Sequence, residues 1–412
     1  MAKLVELLEK IIGGGTPSKN ENKYWNGNIP WASVKDIGEN QVYLSYTQDS
    51  ITKEGLAKSS SNLIPKGNVI IPTRMGLGRC VINKIDTAIN QDLKALIPKK
   101  DKLNNKYLLY WLKFNAALIE SMGSGTTVKG IRLEQLTELE LNDIDIKIQQ
   151  KIARILSNYD DLIENNNRRI KILEEMAQKI YKEWFVDFKF PGHETTTFKD
   201  SPLGKIPNDW EVGIIKDIND VKGGYAFKSK DLKENGKFGI IKIKNIQAGN
   251  IDTNMCQYID EKLAQKASDF KLNAGDILIA MTGAQVGKVG IMPQTKQVYY
   301  LNQRVAKFIP NKDFIINNQY LAIYTQTEKF NIQINNIASG AAQPNISASQ
   351  IENIEILVPK AEIISAFENF INPNLKEAQI LKNKNENLKQ TRDILLPRLI
   401  SGEINVKNME IV

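Results

Sequence analysis

The sequence contains few of the residue types that usually perform catalysis or bind metal ions. One histidine, His193, and two cysteines, Cys80 and Cys256, occur among 412 residues. Two distant cysteines exclude a disulfide framework and a cysteine-based metal cluster, and they favour a reduced, cytoplasmic environment. The single histidine stands in the segment PGHE, which is typical of a solvated loop. We therefore expect this chain to hold no metal ion and no cofactor.

Long hydrophobic runs are missing as well. No apolar stretch approaches the roughly 18 residues of a membrane span, and Glu6 and Glu9 interrupt the N-terminal apolar segment. We expect neither a membrane segment nor a signal peptide.

Catalytic sequence motifs such as HExxH and GxSxG are also absent. The segment GAQVGKVG at 283–290 is close to a phosphate-binding loop, but three residues instead of four separate Gly283 from Gly287. Val289 stands where such a loop needs serine or threonine. Together these absences predict a protein without catalytic activity.

Charge of one sign is only modestly in excess. The 55 lysine and arginine residues outnumber the 47 aspartate and glutamate residues, for a net charge of +8. Such an excess permits a phosphate-binding surface, because attraction to DNA needs only a local basic stripe. It is equally explained by a lysine-rich composition, so charge alone selects no function.

The chain is long enough for two or three domains, and it repeats itself. INQDLKALIP at 89–98 matches LNQRVAKFIP at 301–310, and IPKGNVIIPTRMGLGRCVI at 64–82 matches LNAGDILIAMTGAQVGKVGI at 272–291. The spacing between matching residues of the two copies is nearly constant along the chain; from Asn90 to Asn302 it is 212 residues. This periodicity predicts two paralogous domains in tandem.

Each copy of the repeat has the pattern of a mixed α/β domain. Short apolar runs separated by glycine-rich turns predict strands, and one or two helical segments follow them. The predicted strands are 68–72, 94–98, 239–246, 276–282 and 304–310, and the predicted helices lie near 104–114 and 317–327.

A long helix is predicted between the two copies. Apolar and small residues in 147–188 recur at steps of three and four, which is typical of a coiled-coil seam. A stutter with two steps of four passes through Asn166. As a helix, this stretch would be about 60 Å long. The seam consists of Ile148, Ile152, Ile155, Tyr159, Leu162, Ile170, Leu173, Ala177, Ile180 and Trp184.

A second helical pattern follows the second copy. Because Pro373 interrupts it, we expect this helix to start afresh near Asn374 and to end at or soon after Pro397. Each long helix has an apolar seam that only the other can cover, so we predict an antiparallel pair with one domain at each end. The predicted fold is mixed α/β, with two paralogous domains joined by two long antiparallel coiled-coil helices and related by a pseudo-two-fold axis. The predicted divisions are 1–146, 147–189, 190–358 and 359–412.

Several segments lie at the ends of the predicted elements. KIYKEWFVDF at 179–188 closes the first long helix, and SPLGKIPNDWEV at 201–212 opens the second domain. LKQTRDILLPRLISGEI at 388–404 closes the second long helix. With weaker support from GGGTPS at 13–18 and ASGAAQPNIS at 338–347, these segments resemble the specificity subunits of type I restriction–modification enzymes, and the resemblance covers essentially the whole chain.

The resemblance implies a non-catalytic, DNA-binding subunit of a restriction system. Two target recognition domains, 1–146 and 190–358, would each read one half of a split, asymmetric target in double-stranded DNA. The helix pair, 147–189 and 359–412, would set the unread spacer and dock two methyltransferase (modification) subunits, and restriction/translocase subunits would join them. S-adenosylmethionine, ATP and magnesium are then expected in the partner subunits.

Base-reading side chains are expected on loops or helix ends that carry arginine, lysine, asparagine or glutamine. Any one of them could equally be an ordinary solvated residue, and phosphate contacts should outnumber base contacts. The predicted DNA-binding residues are Lys19, Lys23, Lys35, Arg74, Arg79 and Lys129 in the first domain and Lys228, Lys230, Lys242, Lys244, Lys288, Arg304 and Gln343 in the second.

Partner subunits should contact the ends of the two long helices. Trp184 and Phe185 close the first, and Arg398 and Leu399 close the second. Intramolecular packing explains these residues equally well.

Two other classes of function stay open on the sequence alone. A non-catalytic coiled-coil adaptor would bind other proteins through its end domains. A remnant of a nuclease or methyltransferase would act on DNA by itself.

Overall fold

The structure of the protein, a computed structural model, describes residues 1–125, 128–311, 318–338 and 344–409. The chain divides into two compact units. The first unit combines Met1–Asn165 with Asn385–Val412, and the second is Asn166–Lys384. Each unit therefore holds one copy of the sequence repeat together with part of each long helix.

The first unit is built on two sheets. The order of strands in the five-stranded sheet is Leu8–Gly13, Leu93–Pro98, Val69–Pro72, Val81–Asn83 and Tyr43–Leu44. The order in the four-stranded sheet is Asp49–Ile51, Trp25–Ala32, Thr87–Ile89 and Asn62–Ile64. Two short strands, Ala2–Lys3 and Glu140–Leu141, pair separately.

Helices cover the five-stranded sheet of the first unit. The helix Asn105–Phe114 begins where the side chain of Asn104 accepts a hydrogen bond from the backbone N–H of Tyr107 at 3.1 Å. Its residues Tyr107 to Leu112 are all buried, so it supplies much of the core. The other helices before the first long helix are Leu4–Leu7, Lys53–Ala57, Ala116–Ser121 and Leu133–Thr137.

The second unit repeats this arrangement. One four-stranded sheet has the order Asn219–Gly223, Val305–Pro310, Ile277–Ala280 and Val289–Ile291. The other has the order Gln257–Ile259, Phe238–Ile241, Val298–Leu301 and Lys271–Leu272. Two-stranded pairs are formed by Phe198–Ser201 with Gly204–Pro207, by Glu211–Ile214 with Glu355–Val358, and by Ile246–Gln247 with Asn250–Ile251.

Strand direction confirms the predicted duplication and the mixed α/β class. In the first unit, the two central strands of the four-stranded sheet run parallel, with Trp31 opposite Ala88. The corresponding strands of the second unit are also parallel, with Ile240 opposite Tyr300. The outer strands are antiparallel to their neighbours in both sheets. The helices of the second unit outside the long pair are Ile215–Ile218, Glu261–Lys266, Gln319–Tyr324, Glu328–Ala338 and Ala348–Glu352.

The two long helices are Ile146–Phe185 and Ala361–Ile400, and they pack antiparallel within each unit. In the second unit, Ile170 shares a buried cluster with Leu381, while the rings of Phe185 and Phe367 lie 4.8 Å apart. In the first unit, the early residue Ile152 shares a core with Leu399 near the end of the second helix. The predicted pairing sense is therefore correct within each unit.

The prediction for Leu162 is wrong, because its side chain is 51% exposed. The buried positions in this part of the first long helix are Asp160, Ile163 and Asn166. Asp160 accepts hydrogen bonds from Arg392 of the second long helix and from Tyr110 of the domain. An ion pair therefore occupies the helix interface where the sequence pattern, which counts only apolar residues, assigned Leu162.

The prediction that Pro373 starts a new helix is also wrong, since one helix runs through it from Ala361 to Ile400. Pro373 and Asn369, whose carbonyl loses its helical donor, are both exposed residues, so they lie on a side of the helix where water can replace that donor. Phe367 and Ile371 before the proline and Ala378 after it are buried. Burying these side chains offsets the roughly 3 kcal/mol that an interior proline costs a helix.

Candidate nucleic-acid interface

Several loops meet at one edge of the sheets in the first unit. Gly13 pairs with Lys94 and Pro72 with Leu93, so the strand Leu8–Gly13 ends at the level where Leu93–Pro98 begins and Val69–Pro72 ends. The backbone N–H of Asn90 donates to the carbonyl of Ala32 at 3.0 Å, which brings the neighbouring loop to the same level. We call this the first loop edge; it comprises residues 14–23, 33–37, 73–80, 90–92 and the described part of 124–132.

Backbone hydrogen bonds hold these loops together. The N–H of Thr73 donates to the carbonyl of Asp92 at 2.7 Å, and the N–H of Met75 donates to the carbonyl of Lys129 at 3.1 Å. The N–H of Ile131 donates to the carbonyl of Thr73 at 3.0 Å. The edge is therefore a connected surface, and side chains on different loops keep fixed relative positions.

A close approach of two loops requires glycine at position 14. A Cβ atom there would lie 2.0 Å from the carbonyl oxygen of Ile89. Gly224 has the same role in the second unit, where a Cβ atom would lie 2.4 Å from the oxygens of Leu301 and Asn302. Gly14 and Gly224 thus each permit a backbone contact that a side chain would block.

All six DNA-binding residues predicted for the first domain lie at the first loop edge. Lys19, Lys35, Arg74 and Lys129 are exposed, and within the described residues no carboxylate forms an ion pair with any of these four. Lys23 is paired with Glu54 at 2.7 Å, and this hydrogen bond and charge raise the pKa of the lysine. Arg79 is half-buried and donates to the carbonyl of Ile37 at 3.2 Å.

A cleft of about 490 Å³ opens at the first loop edge. Its walls include Arg74 and Met75 from one loop, Gln91 from a second, and Val128 and Arg132 from a third. Sequence reasoning missed Gln91 and Arg132. Arg132 follows the segment that bridges to Arg74, and only that backbone pairing places it beside the cleft.

The second unit presents an equivalent edge. Gly223 pairs with Ala306, and Ala280 pairs with Val305, so three strand ends again share one level. We call this the second loop edge; it comprises residues 224–230, 242–245, 281–288, 302–304 and 344–346. The N–H of Asn302 donates to the carbonyl of Ile241 at 3.1 Å, as Asn90 does to Ala32 in the first unit.

The predicted residues of the second domain that the structure describes all lie at the second loop edge. Lys228, Lys230, Lys244, Lys288 and Arg304 are exposed there. Lys242 is half-buried and hydrogen-bonded to Gln257, and burial, together with the charge of Lys244, lowers its pKa. Gln343 lies outside the described residues.

The predicted partner-binding residues divide into buried and accessible ones. Phe185 and Leu399 are buried in the cores of their units, at 5% and 2% exposure. Trp184 is half-buried against Phe367, and Arg398 is exposed and paired with Glu403 at 2.7 Å. Intramolecular packing therefore accounts for the first two, and the last two stay accessible.

The described part of the chain offers little chemistry for a reaction. Its side chains form no group of three histidine, cysteine or acidic residues that could hold a metal ion. Burial raises the pKa of both Cys80 and Cys256 to about 11, so both stay protonated thiols near neutral pH. His193 lies within 2.8 Å of the carbonyl of Phe190 in a loop. None of the helices described is both long and apolar enough to cross a bilayer.

The fold and its two edges define a duplicated α/β protein with exposed cations on corresponding loops and a pair of long helices. Residues 1–175 and 207–390 match the family described as Type I restriction modification DNA specificity domain. The chain belongs to this family, which confirms the predicted class: a specificity subunit, with the catalytic activities in other subunits.

Individual relatives agree with the family. The chain is 29% identical to the type I restriction enzyme MjaIX specificity subunit of Methanocaldococcus jannaschii, over 99% of this chain and 94% of that protein. It is 34% identical to the EcoR124I/EcoR124II specificity subunit of Escherichia coli over 46% of this chain and 48% of that one. The crystal structure of a type I restriction–modification S subunit from M. genitalium shares the fold, with a TM-score of 0.57, 17% identity and coverage of 97% and 95%.

Proposed function

We propose that this protein reads a bipartite, asymmetric target in double-stranded DNA, one half through each loop edge. The two long helices fix the length of the unread spacer and dock two methyltransferase subunits. Restriction/translocase subunits join that core. The recognition domains correspond to 1–146 and 190–358, and the helical spacer to 147–189 and 359–412.

One observation carries the proposal: the two loop edges have the same backbone arrangement but present different side chains. Arg74 of the first edge and Thr282 of the second each form an antiparallel bridge to a later segment, at Gly130 and Asn345. Equivalent positions therefore carry arginine in one domain and threonine in the other. Because base pairs are distinguished by the donors and acceptors that reach them, edges that differ in this way favour two dissimilar half-sites.

The helix pair is suited to a fixed spacer. A helix of 40 residues is about 60 Å long, and half-sites one or two turns of DNA apart are separated by multiples of roughly 34 Å. Ion pairs between the helices, such as Lys382 with Glu174 at 2.7 Å, limit sliding of one helix along the other. The accessible Trp184 and Arg398 are candidates for contacts with the methyltransferase subunits.

Cofactors belong to the partner subunits in this proposal. S-adenosylmethionine serves the methyltransferase subunits, and ATP and magnesium serve the restriction subunits. Methylation of a base within a duplex needs an extruded nucleotide, and the pocket for it lies in the methyltransferase subunit.

The test is selection from randomised duplexes with the chain reconstituted with its modification subunits. We expect a split consensus with two different halves, and binding that weakens steeply with salt. Replacing Arg74 and Arg304 by glutamine should reduce enrichment of both halves. The matched control replaces Lys66 and Lys296, which precede Val69–Pro72 and Val298–Leu301 at the strand ends remote from the loop edges.

Two results would contradict the proposal. Selection of one continuous sequence instead of two separated halves would contradict the bipartite target. Absence of any consensus, with active modification subunits present, would favour the coiled-coil adaptor that binds proteins through its end domains.

A further inference from the structure

The tip of one loop in the first unit holds a strained residue. Met75 has a φ of +52°, in the left-handed region that residues other than glycine rarely adopt. This conformation costs a residue with a Cβ atom roughly 1–2 kcal/mol. Such strain persists where the surrounding structure enforces it, and it concentrates at functional sites.

The second unit has glycine at the same point. The N–H of Met75 donates to the carbonyl of Lys129 at 3.1 Å, and the N–H of Gly283 donates to the carbonyl of Pro344 at 3.0 Å. Gly283 has a φ of +74°, so the two loops share this left-handed conformation. The second domain therefore carries the residue that suits this backbone, and the first carries a large apolar one.

Packing within the domain does not explain the methionine. Its side chain is 51% exposed, so little of it is removed from water by the fold. It lies on the wall of the 490 Å³ cleft beside Arg74. A Cβ atom on Gly130 would lie 3.3 Å from Cγ of Arg74, so the missing side chain leaves room for the arginine stem. Arginine and methionine thus stand together at the open side of the first loop edge.

We propose that Arg74 and Met75 form the base-reading element of the first half-site, an inference that rests on the proposed function. Arg74 donates two hydrogen bonds to O6 and N7 of a guanine, and Met75 packs on the edge of the adjacent base pair. The guanidinium is the group that matches guanine in the major groove, and apolar side chains contact base edges such as the thymine methyl. A phosphate contact would need charge only, and it would give no reason to present a strained, exposed methionine.

The same reasoning separates the two domains. Thr282 and Gly283 replace Arg74 and Met75 in the second loop edge, so these two positions carry neither a guanidinium nor a large apolar side chain. Guanine reading at this position is therefore specific to the half-site of the first domain.

The test exchanges the residues of one domain for those of the other in the complex with modification subunits. Arg74→Thr should lower the preference for guanine at one position of one half-site by about 5- to 150-fold and leave the other half-site unchanged. Compared with Arg74→Thr, Arg74→Lys restores the charge but not the planar fork of the guanidinium, so overall affinity should largely recover while guanine preference recovers only in part. Lys66→Thr, remote from the edge, is the matched control.

Met75→Gly should weaken the sequence preference at the base pair next to that guanine. Because it relieves backbone strain, it should leave the unfolding midpoint unchanged or raise it by up to about 4 °C. Asn26→Gly is the control, since Asn26 also has a positive φ, of 58°, but does not line the cleft.

The outcomes separate this inference from the proposed function. Suppose that the wild-type complex selects a split consensus. If Arg74→Thr then alters the preference at no G·C position, or if Arg74→Lys restores guanine preference fully, Arg74 does not read the base. The bipartite target would stay intact in either case. An unchanged neighbouring position in Met75→Gly would overturn the role of Met75. Failure of the wild-type complex to select any consensus would instead reject the proposed function.

Discussion

Arg392 of the second long helix donates a hydrogen bond to the buried carboxylate of Asp160 in the first. Tyr110 of the first domain donates to the other oxygen of that carboxylate. One acidic side chain thus joins both helices to the domain. Burial opposes the charge of Arg392, but the neighbouring carboxylate offsets this effect and raises the arginine pKa. Burial is also the main reason why the pKa of Tyr110 is raised, so its hydroxyl remains a donor.

Removing Arg392 should destabilise the first unit strongly. Arg392→Met leaves Asp160 as a buried charge without its cationic partner, and loss of one partner from such a pair costs about 3–5 kcal/mol. Urea unfolding followed by circular dichroism would measure the change. Lys389→Met is the control, because Lys389 forms an exposed ion pair with Glu386 that should contribute less than about 1 kcal/mol. Equal effects of the two substitutions would contradict a structural role for the buried pair.

Adjacent glycines in the second unit should respond differently to alanine. In Gly224→Ala the new Cβ atom would overlap two carbonyl oxygens at 2.4 Å, so we expect destabilisation of about 1–3 kcal/mol and weaker DNA binding. In Gly223→Ala the Cβ atom would meet only Cε of Met281, at 3.7 Å. Thermal unfolding and duplex binding of both variants would show whether the close approach of the loops is required. A larger loss in Gly223→Ala would argue against it.

Alkaline pH should destabilise the protein through its buried thiols. Burial raises the pKa of Cys80 and Cys256 from 9.0 to about 11, so the folded state holds these protons more tightly than the unfolded state. The resulting stabilisation is fully present below about pH 9 and is lost as the pH rises to about 11. Unfolding free energies measured across this range should fall, and they should fall less steeply in Cys80→Ala/Cys256→Ala. An identical pH dependence in that variant would exclude the thiols as the cause.

Helix length should set the spacer of the target. Four residues inserted near 165–167, with a matching insertion near 384, add about 6 Å of helix. At roughly 3.4 Å per base pair, the preferred spacer should lengthen by one or two base pairs. Duplex selection with the reconstituted complex would measure it, and substitution of the same residues without insertion is the control. An unchanged spacer would show that the helices do not set the distance.

The sequence predicted the strands well where apolar runs lie between glycine turns. The strands Val69–Pro72 and Val305–Pro310 fall within the predicted 68–72 and 304–310. The predicted strand 239–246 is shorter, as Phe238–Ile241, because a 3-10 turn follows. The backbone N–H of Lys242 donates to the side chain of Asn245 at 2.9 Å, and this local capping competes with the strand.

Errors arose where the structure depends on contacts between distant residues. A burial pattern built on apolar residues selected Leu162, because nothing local shows that Asp160 meets Arg392, 232 residues later. Pro373 breaks a helix by local rules, but buried side chains on both sides of it hold the helix intact. Gln91 and Arg132 enter the cleft only through the pairing of separate loops.

The discontinuity of the first unit has a consequence for its synthesis. Leu399, Ile400 and Val406 are buried in the same core as Leu4, and Lys151 donates to the carbonyl of Lys407 at 2.8 Å. The N-terminal domain therefore lacks part of its interior until residues 399–406 have left the ribosome, although residues 166–384, which form the second unit, are made before then. A nascent chain whose later unit is synthesised before its earlier unit is complete would leave the apolar surface around Leu4 uncovered until residues 399–406 emerge.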